Sequence, residues 1–436
     1  MINDKLKKKI SDTVDSMQDE IVDLTCRLIG ISSVNPDYPG GNREELLGGE
    51  SNVTECLAKE MEPVGYENHF VEKVKGRKNL VSVTKGTGKG KSLIFNGHVD
   101  TVIPVDPDKW ISGSPWKAKI DKGLIYGLGS TDMKGPIAVQ SKAAQALHKA
   151  GIQLKGDLMM QWTCGEETHQ PELGPTACIE AGFKADGAIV SESSTVDGKL
   201  YVMPVSPGVL HAKVTVPGKS AHCCARHEAI RPGGLGEKYG VNAIEKAMFI
   251  IQQVQRLEQE WGMSKSFPLF KPGFFTLHPG YIKGGPGAIE APYALADHCL
   301  VEYLITFCPA QTCKEVQKEF EQYIKDVCKL DSWLAKNPPK IEWVVEWEPF
   351  ATDKDHPFVQ AVQKAHLAVH EEDIPLNNFH AVCDATYYME KGIPSVVYGP
   401  GSVGTAHSLN EHIGIDSMLL AAKGLALGAV EWCGAE

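Results

Sequence analysis

Residues 157–169 read DLMMQWTCGEETH. An apolar run with the texture of a buried strand enters a turn and there sets two carboxylates side by side, Glu166 and Glu167, with His169 just beyond. Neighbouring side chains on an extended chain point in different directions, so two adjacent glutamates can hold two different tasks at one point in space. Standing alone, such a pair is ordinarily a solvated turn. It gains meaning if other strands deliver ionisable groups at their ends in the same way.

They do. KSLIFNGHVD closes an apolar run with His98 and Asp100, the glycine-rich turn of GLIYGLGSTDMKG delivers Asp132, ADGAIVSE ends in Glu192, and YGPGSVGTAHSLNEH follows a buried strand and presents His407. In a parallel α/β sheet the carboxyl ends of the strands converge on one crevice. Asp132, Glu166, Glu167 and Glu192 would repel one another there unless cations compensated them. Two imidazoles with several carboxylates suit zinc, with cobalt or manganese as alternatives. One bridging carboxylate flanked on each side by a histidine and a carboxylate would make a two-metal site, and Asp100 could accept the second ring N–H of His98.

Around these segments the pattern alternates. Apolar residues at helical spacing predict helices over 11–29 and 51–64, and NLVSVTKG and KSLIFNGHVD form a strand-like pair about the turn GTGKGK. Helix, strand, helix and strand follow between Pro136 and Glu192, which implies a mostly parallel α/β sheet with helices on both faces. After residue 205 the texture changes. GVLHAKVTVPG alternates like an antiparallel strand with one wet face, and a helix over 242–261 should turn Ile244, Ala247, Met248, Ile251, Val254 and Leu257 inward. Two helices and several strands in 206–350 suit a smaller α+β domain inserted into the first, so the catalytic domain comprises 1–205 and 351–436.

Composition narrows the function. A chain of 436 residues is too long for one core. A net charge of −11 argues against nucleic-acid binding. No stretch approaches the roughly 18 apolar residues of a membrane span, and MINDKLKKKISD lacks a signal-peptide core, so the expectation is a cytoplasmic protein without membrane partners. Twelve cysteines without Cys-x-x-Cys spacing read as reduced thiols, with the adjacent Cys223 and Cys224 as packing residues ill placed to grip one metal together.

The motifs HVDTV (98–102), GLGSTDMKG (127–135), CGEET (164–168), SES (191–193) and GTAHSLNEH (404–412) together resemble the co-catalytic zinc amidohydrolases that include acetylornithine deacetylase, succinyl-diaminopimelate desuccinylase, aminoacylases and glutamate carboxypeptidase. The resemblance covers nearly the whole chain. It implies two divalent metal ions, one held by His98 and Glu192, one by Glu167 and His407, with Asp132 bridging. Glu166 is then the general base, moving a proton from the attacking water to the leaving amine.

The inserted domain resembles the family's lid, which usually also forms a homodimer interface. His222, within GKSAHCCARHEAIRPGG, matches the lid histidine that reaches the reacting carbonyl across the dimer. The lid departs from the family in one respect. Ala288 or Ile289 stands near the family's asparagine and Thr306 near its arginine, a pair that grips a substrate carboxylate; Arg226 or Arg231 are the remaining candidates for that task. HCCAR and CLVEYLITFCP look most like the lids of formylaminopyrimidine deformylases and acetylornithine-deacetylase-like relatives. The leading expectation is removal of a small acyl group from the nitrogen of a small molecule. A carboxypeptidase or dipeptidase is the alternative within the class, and a metal-stabilised binding protein the alternative outside it, for which Glu166 would have no use.

Overall fold

The computed structural model describes residues 4–287, 291–370 and 372–436. The chain divides into two compact units, one made of Met1–Ser206 with Phe350–Glu436 and the other of Pro207–Pro349.

The first unit is built on a six-stranded sheet in the order Glu67–Val74, Arg77–Thr84, Leu158–Thr163, Leu93–His98, Ala188–Val190, Ser395–Val397. The last four run parallel. The first two form an antiparallel hairpin at one edge, joined antiparallel to Leu158–Thr163. The parallel strands are buried on both faces, which is why they read as mainly apolar runs, with Asn96 and Gln161 as buried polar exceptions. Helices Lys134–Lys149 and Ile415–Cys433 pack through Ile137, Ala144, Met418 and Leu425 into the main core. Among the described residues no helix is long and apolar enough to cross a membrane.

Three local expectations change. NLVSVTKG and KSLIFNGHVD are not sheet neighbours, because Leu158–Thr163 lies between them and bonds to both. The hairpin partner of the first is instead Glu67–Val74, a polar and partly exposed edge strand whose sequence carries little apolar signal. The helix expected over 11–29 is two helices, Asp4–Ser16 and Gln18–Ile29, interrupted at Met17, whose side chain is nevertheless buried.

The second unit is a four-stranded antiparallel sheet in the order Thr276–Gly285, His298–Phe307, Gly208–Pro217, Lys340–Trp347. Leu210, Ala212, Val214 and Val216 alternate inward against helices Ala243–Ser264 and Cys313–Cys328. The longer helix buries Ala243, Ala247, Ile250, Val254, Leu257 and Trp261, whereas Met248, expected inside, is exposed. Ala247, Val254 and Leu257 are buried as expected, and Ile244 and Ile251 are partly buried against the same core. Cys313–Cys328 starts in a capping box in which Thr312 and Glu315 satisfy each other's backbone amides.

Candidate metal centre and active site

The carboxyl ends of the parallel strands bring His98, Asp132, Glu166, Glu167, Glu192 and His407 together. His98 is the last residue of its strand; Glu166 and Glu167 occupy a one-turn 3-10 segment after Thr163; Glu192 follows Val190; and His407 lies on the loop after Ser395–Val397. Asp132 comes from the turn that opens helix Lys134–Lys149, where Glu411 accepts the amides of Thr131 and Asp132 at 2.8 and 3.0 Å.

Asp132 divides its carboxylate between two imidazoles. Its Oδ1 lies 2.9 Å from His98 Nε2 and its Oδ2 lies 3.2 Å from His407 Nε2. Each imidazole has a further carboxylate beside it: Glu192 Oε1 is 3.4 Å from His98, and Glu167 Oε2 is 3.1 Å from His407. Glu166 Oε2 stands further off, 3.8 Å from His98 Nε2.

The electrostatics follow from this crowding. Burial pushes Glu167 up to about 7, with Asp132 adding to the effect, and pushes Glu166 well above the usual carboxylate range. Bonds to Asp132 and Glu167 hold His407 at about 11. Burial opposes charge on His98, yet Glu166, Asp132 and Glu192 hold it well above the usual imidazole range. Negative groups outnumber imidazoles, so protons or cations must compensate them. The donor set fits divalent cations: ligand atoms of His98, Asp132 and Glu167 lie within 4.8 Å of one another, and Glu167 Oε1 is buried with no hydrogen-bond donor among the described residues.

Asp100 does not do what its spacing suggests. His98 Nδ1 bonds to the backbone carbonyl of Asp100 at 3.0 Å, while the nearer carboxylate oxygen is 3.6 Å away. The Asp100 carboxylate instead accepts the amides of Gly165 (3.0 Å), Glu166 (3.4 Å) and Glu167 (3.1 Å), and the side chain of Asn35 (2.8 Å). It thus anchors the glutamate turn. Gly165 allows that turn, since its φ is 89° and an added Cβ would come within 3.1 Å of Gln170. Gln170, at the far end of the turn, is bonded by Arg77, whose fully buried guanidinium also pairs with Glu50 and Asp37.

Sequence reasoning passed over Glu411 and Asp384. Glu411 lies inside the motif GTAHSLNEH and could have been suspected there. Asp384 is buried, accepts the Thr163 hydroxyl at 3.0 Å, and is pushed by burial to about 7. Nothing in the stretch HAVCDATYY marks it.

His222, Arg226 and Arg231 belong to the second unit. His222 is exposed, and its Nδ1 accepts the amide of Cys224 at 3.2 Å. Arg226 is paired with Glu245 and Arg231 with Glu228. Thr306 lies in the strand His298–Phe307, between Val209 and Thr276. Ala288 and Ile289 lie outside the described residues. Cys224, expected to pack, is exposed.

A model of the peptidase family M20/M25/M40 matches residues 94–429, which contain every group of this centre. The chain belongs to that family. This M20 protein is 35% identical over 367 residues to the N-formyl-4-amino-5-aminomethyl-2-methylpyrimidine deformylase of Halalkalibacterium halodurans, covering 81% of this chain and 83% of the relative. It is 28% identical over 390 residues to the acetylornithine deacetylase of Vibrio atlanticus, covering 88% and 90% of the two chains. Its fold matches the di-peptidase Dug1p of Saccharomyces cerevisiae with a TM-score of 0.73 over 98% of each chain, at 15% identity. As a member of this family the chain is a metal-dependent amidohydrolase.

Proposed function

We propose that this M20 protein removes a small acyl group, of formyl, acetyl or succinyl type, from a nitrogen of a small molecule. The observation that carries this reading is the division of Asp132 between His98 and His407, with Glu166 beside His98 but further from it than Asp132 and Glu192. Asp132 would bridge two divalent ions, zinc first and cobalt or manganese as alternatives, with His98 and Glu192 on one side and Glu167 and His407 on the other. When bound, such ions supply Lewis acidity toward water and toward the scissile carbonyl. Glu166 takes the proton of the attacking water on a carboxylate oxygen and returns it to the leaving nitrogen. Asp100 and Glu411 are positioning residues: the first holds the backbone of the glutamate turn and the second that of Asp132.

The activities of the two relatives, deformylation and deacetylation, each release a small acyl group from nitrogen, which supports the same chemistry here. A peptidase reading needs a carboxylate clamp. Arg226 and Arg231 are each paired with a glutamate of the second unit, and Thr306 offers no positive charge. For the second unit we propose a lid that pairs with its copy in a homodimer and supplies His222 to the partner's centre. Its edge strand Thr276–Gly285 exposes Tyr281 and Ile282, a surface suited to such pairing. The free thiols fit a reducing, cytoplasmic setting.

The deciding experiment depletes the purified protein of metal, restores zinc, cobalt or manganese singly, and offers N-formyl, N-acetyl and N-succinyl amines beside dipeptides. Turnover of one acyl amine class that returns with metal is expected. Turnover confined to dipeptides would replace this reading with the peptidase one.

A further inference from the structure

Adjacent cysteines were expected to be ill placed to share a metal, yet His222, Cys223 and Cys224 of the second unit each offer a ligand atom, and these atoms lie within 4.8 Å of one another. We propose that these three side chains form a separate binding site for one thiophilic divalent cation, of the zinc or cadmium class, and that filling it withdraws His222 from turnover. The second half rests on the role proposed above for His222; the site itself does not.

The geometry is held from several sides. His222 is the N-cap of the short turn Cys223–Ala225. Its backbone carbonyl accepts the Tyr239 hydroxyl at 2.9 Å, the Cys223 amide donates to Tyr293 O, and the Leu295 amide donates to Ala221 O. The donors are therefore presented on a fixed backbone, which lowers the ordering cost of ligation. Both thiols are free.

An imidazole with two sulfurs is a soft donor set. It favours zinc, cadmium or a related ion over the hard cations that carboxylates prefer, so its selectivity differs from that of the centre built on Asp132. Binding releases the two thiol protons as the thiolates form. Arg226, two residues beyond Cys224, is paired with Glu245 and so adds little repulsion. Cys223 also lines a cavity of about 1020 Å³ together with Asn242, Ile282 and Leu295, which leaves room for the ion to enter and for a water to complete its shell. The imidazole nitrogen that holds the ion is no longer free to donate a proton to a developing oxyanion.

The test is a cadmium titration of the zinc-loaded enzyme, read by the ultraviolet thiolate-to-cadmium charge-transfer absorption. Cadmium exchanged into the Asp132 centre meets only oxygen and nitrogen ligands and contributes nothing to that signal. The expected result is a band that saturates near one equivalent per chain, is lost in Cys223→Ser/Cys224→Ser and is reduced by half or more in Cys224→Ser. Both variants should keep wild-type activity and melting temperature without cadmium. No band, or an undiminished band in the double variant, overturns the site. Activity should fall in step with the band in the wild type and resist the same cadmium in the double variant. A band with unchanged activity overturns the inhibitory half, and His222→Ala turnover, measured without cadmium, then decides separately whether His222 has a catalytic role.

Discussion

Glu166 and Glu167 are chain neighbours with different surroundings. Glu167 lies against His407 at 3.1 Å, while Glu166 comes no nearer than 3.8 Å to His98. Replacing Glu166 by Gln keeps the shape and removes the base, so kcat should fall by about 10² to 10⁴. Elemental analysis should find the metal content unchanged, because no ligand is lost. Asp100→Asn makes a different case. Both carboxylate oxygens accept N–H groups, and an amide nitrogen in either place would face a donor with a donor. Leaving one such group unsatisfied costs about 1–3 kcal/mol. The expected outcome is a kcat lower by roughly ten- to a hundredfold with KM little changed, since 1.4 kcal/mol is about a factor of ten.

At the scale of elements, helix Pro357–Val369 carries a buried imidazole outside the candidate centre. His366 lies beside Tyr398, with its Nδ1 3.3 Å from the hydroxyl, and its ring packs on His370 at 4.2 Å between centroids. Burial, and secondarily His370, depress it from 6.5 to about 3. The folded chain thus resists a proton that the unfolded chain accepts. The contribution is whole above pH 6.5 and is lost as pH falls toward 3, with a limiting slope of about 1.4 kcal/mol per unit. His366→Phe should therefore lose less stability between pH 7 and pH 5 than the wild type, as urea midpoints at the two values would show.

For the whole molecule, stability and metal content should move together. Carboxylates and imidazoles that crowd one crevice are joined when cations fill it, and a ligand at a hundred times its dissociation constant adds about 2.7 kcal/mol per site. Chelation should lower the melting temperature by several degrees, and readdition should restore it. Assembly has its own test. If His222 serves the partner's centre, mixing inactive His222→Ala with inactive Glu166→Ala under subunit exchange leaves one intact centre in each mixed dimer. Random mixing in equal amounts then restores up to about a quarter of wild-type activity. No recovery despite demonstrated exchange assigns His222 to its own chain or to no catalytic role.

The parallel strands and the groups at their ends were legible in the sequence because both are local. A strand buried on two faces is mainly apolar, and the ionisable residues that close it stand next to that run, as His98 follows the largely apolar Leu93–Gly97. The edge strand Glu67–Val74 was not legible, because a half-exposed strand needs no apolar pattern and owes its place to the partner it pairs with. The same holds for the supports of the centre. Asp100 looked like a partner for the ring two residues away, yet its carboxylate holds amides 65 to 67 residues further on. Glu411 reaches Thr131 across 280 residues. Side-chain chemistry and strand periodicity are written residue by residue; which donor meets which acceptor is settled only when packing brings distant segments within hydrogen-bonding distance.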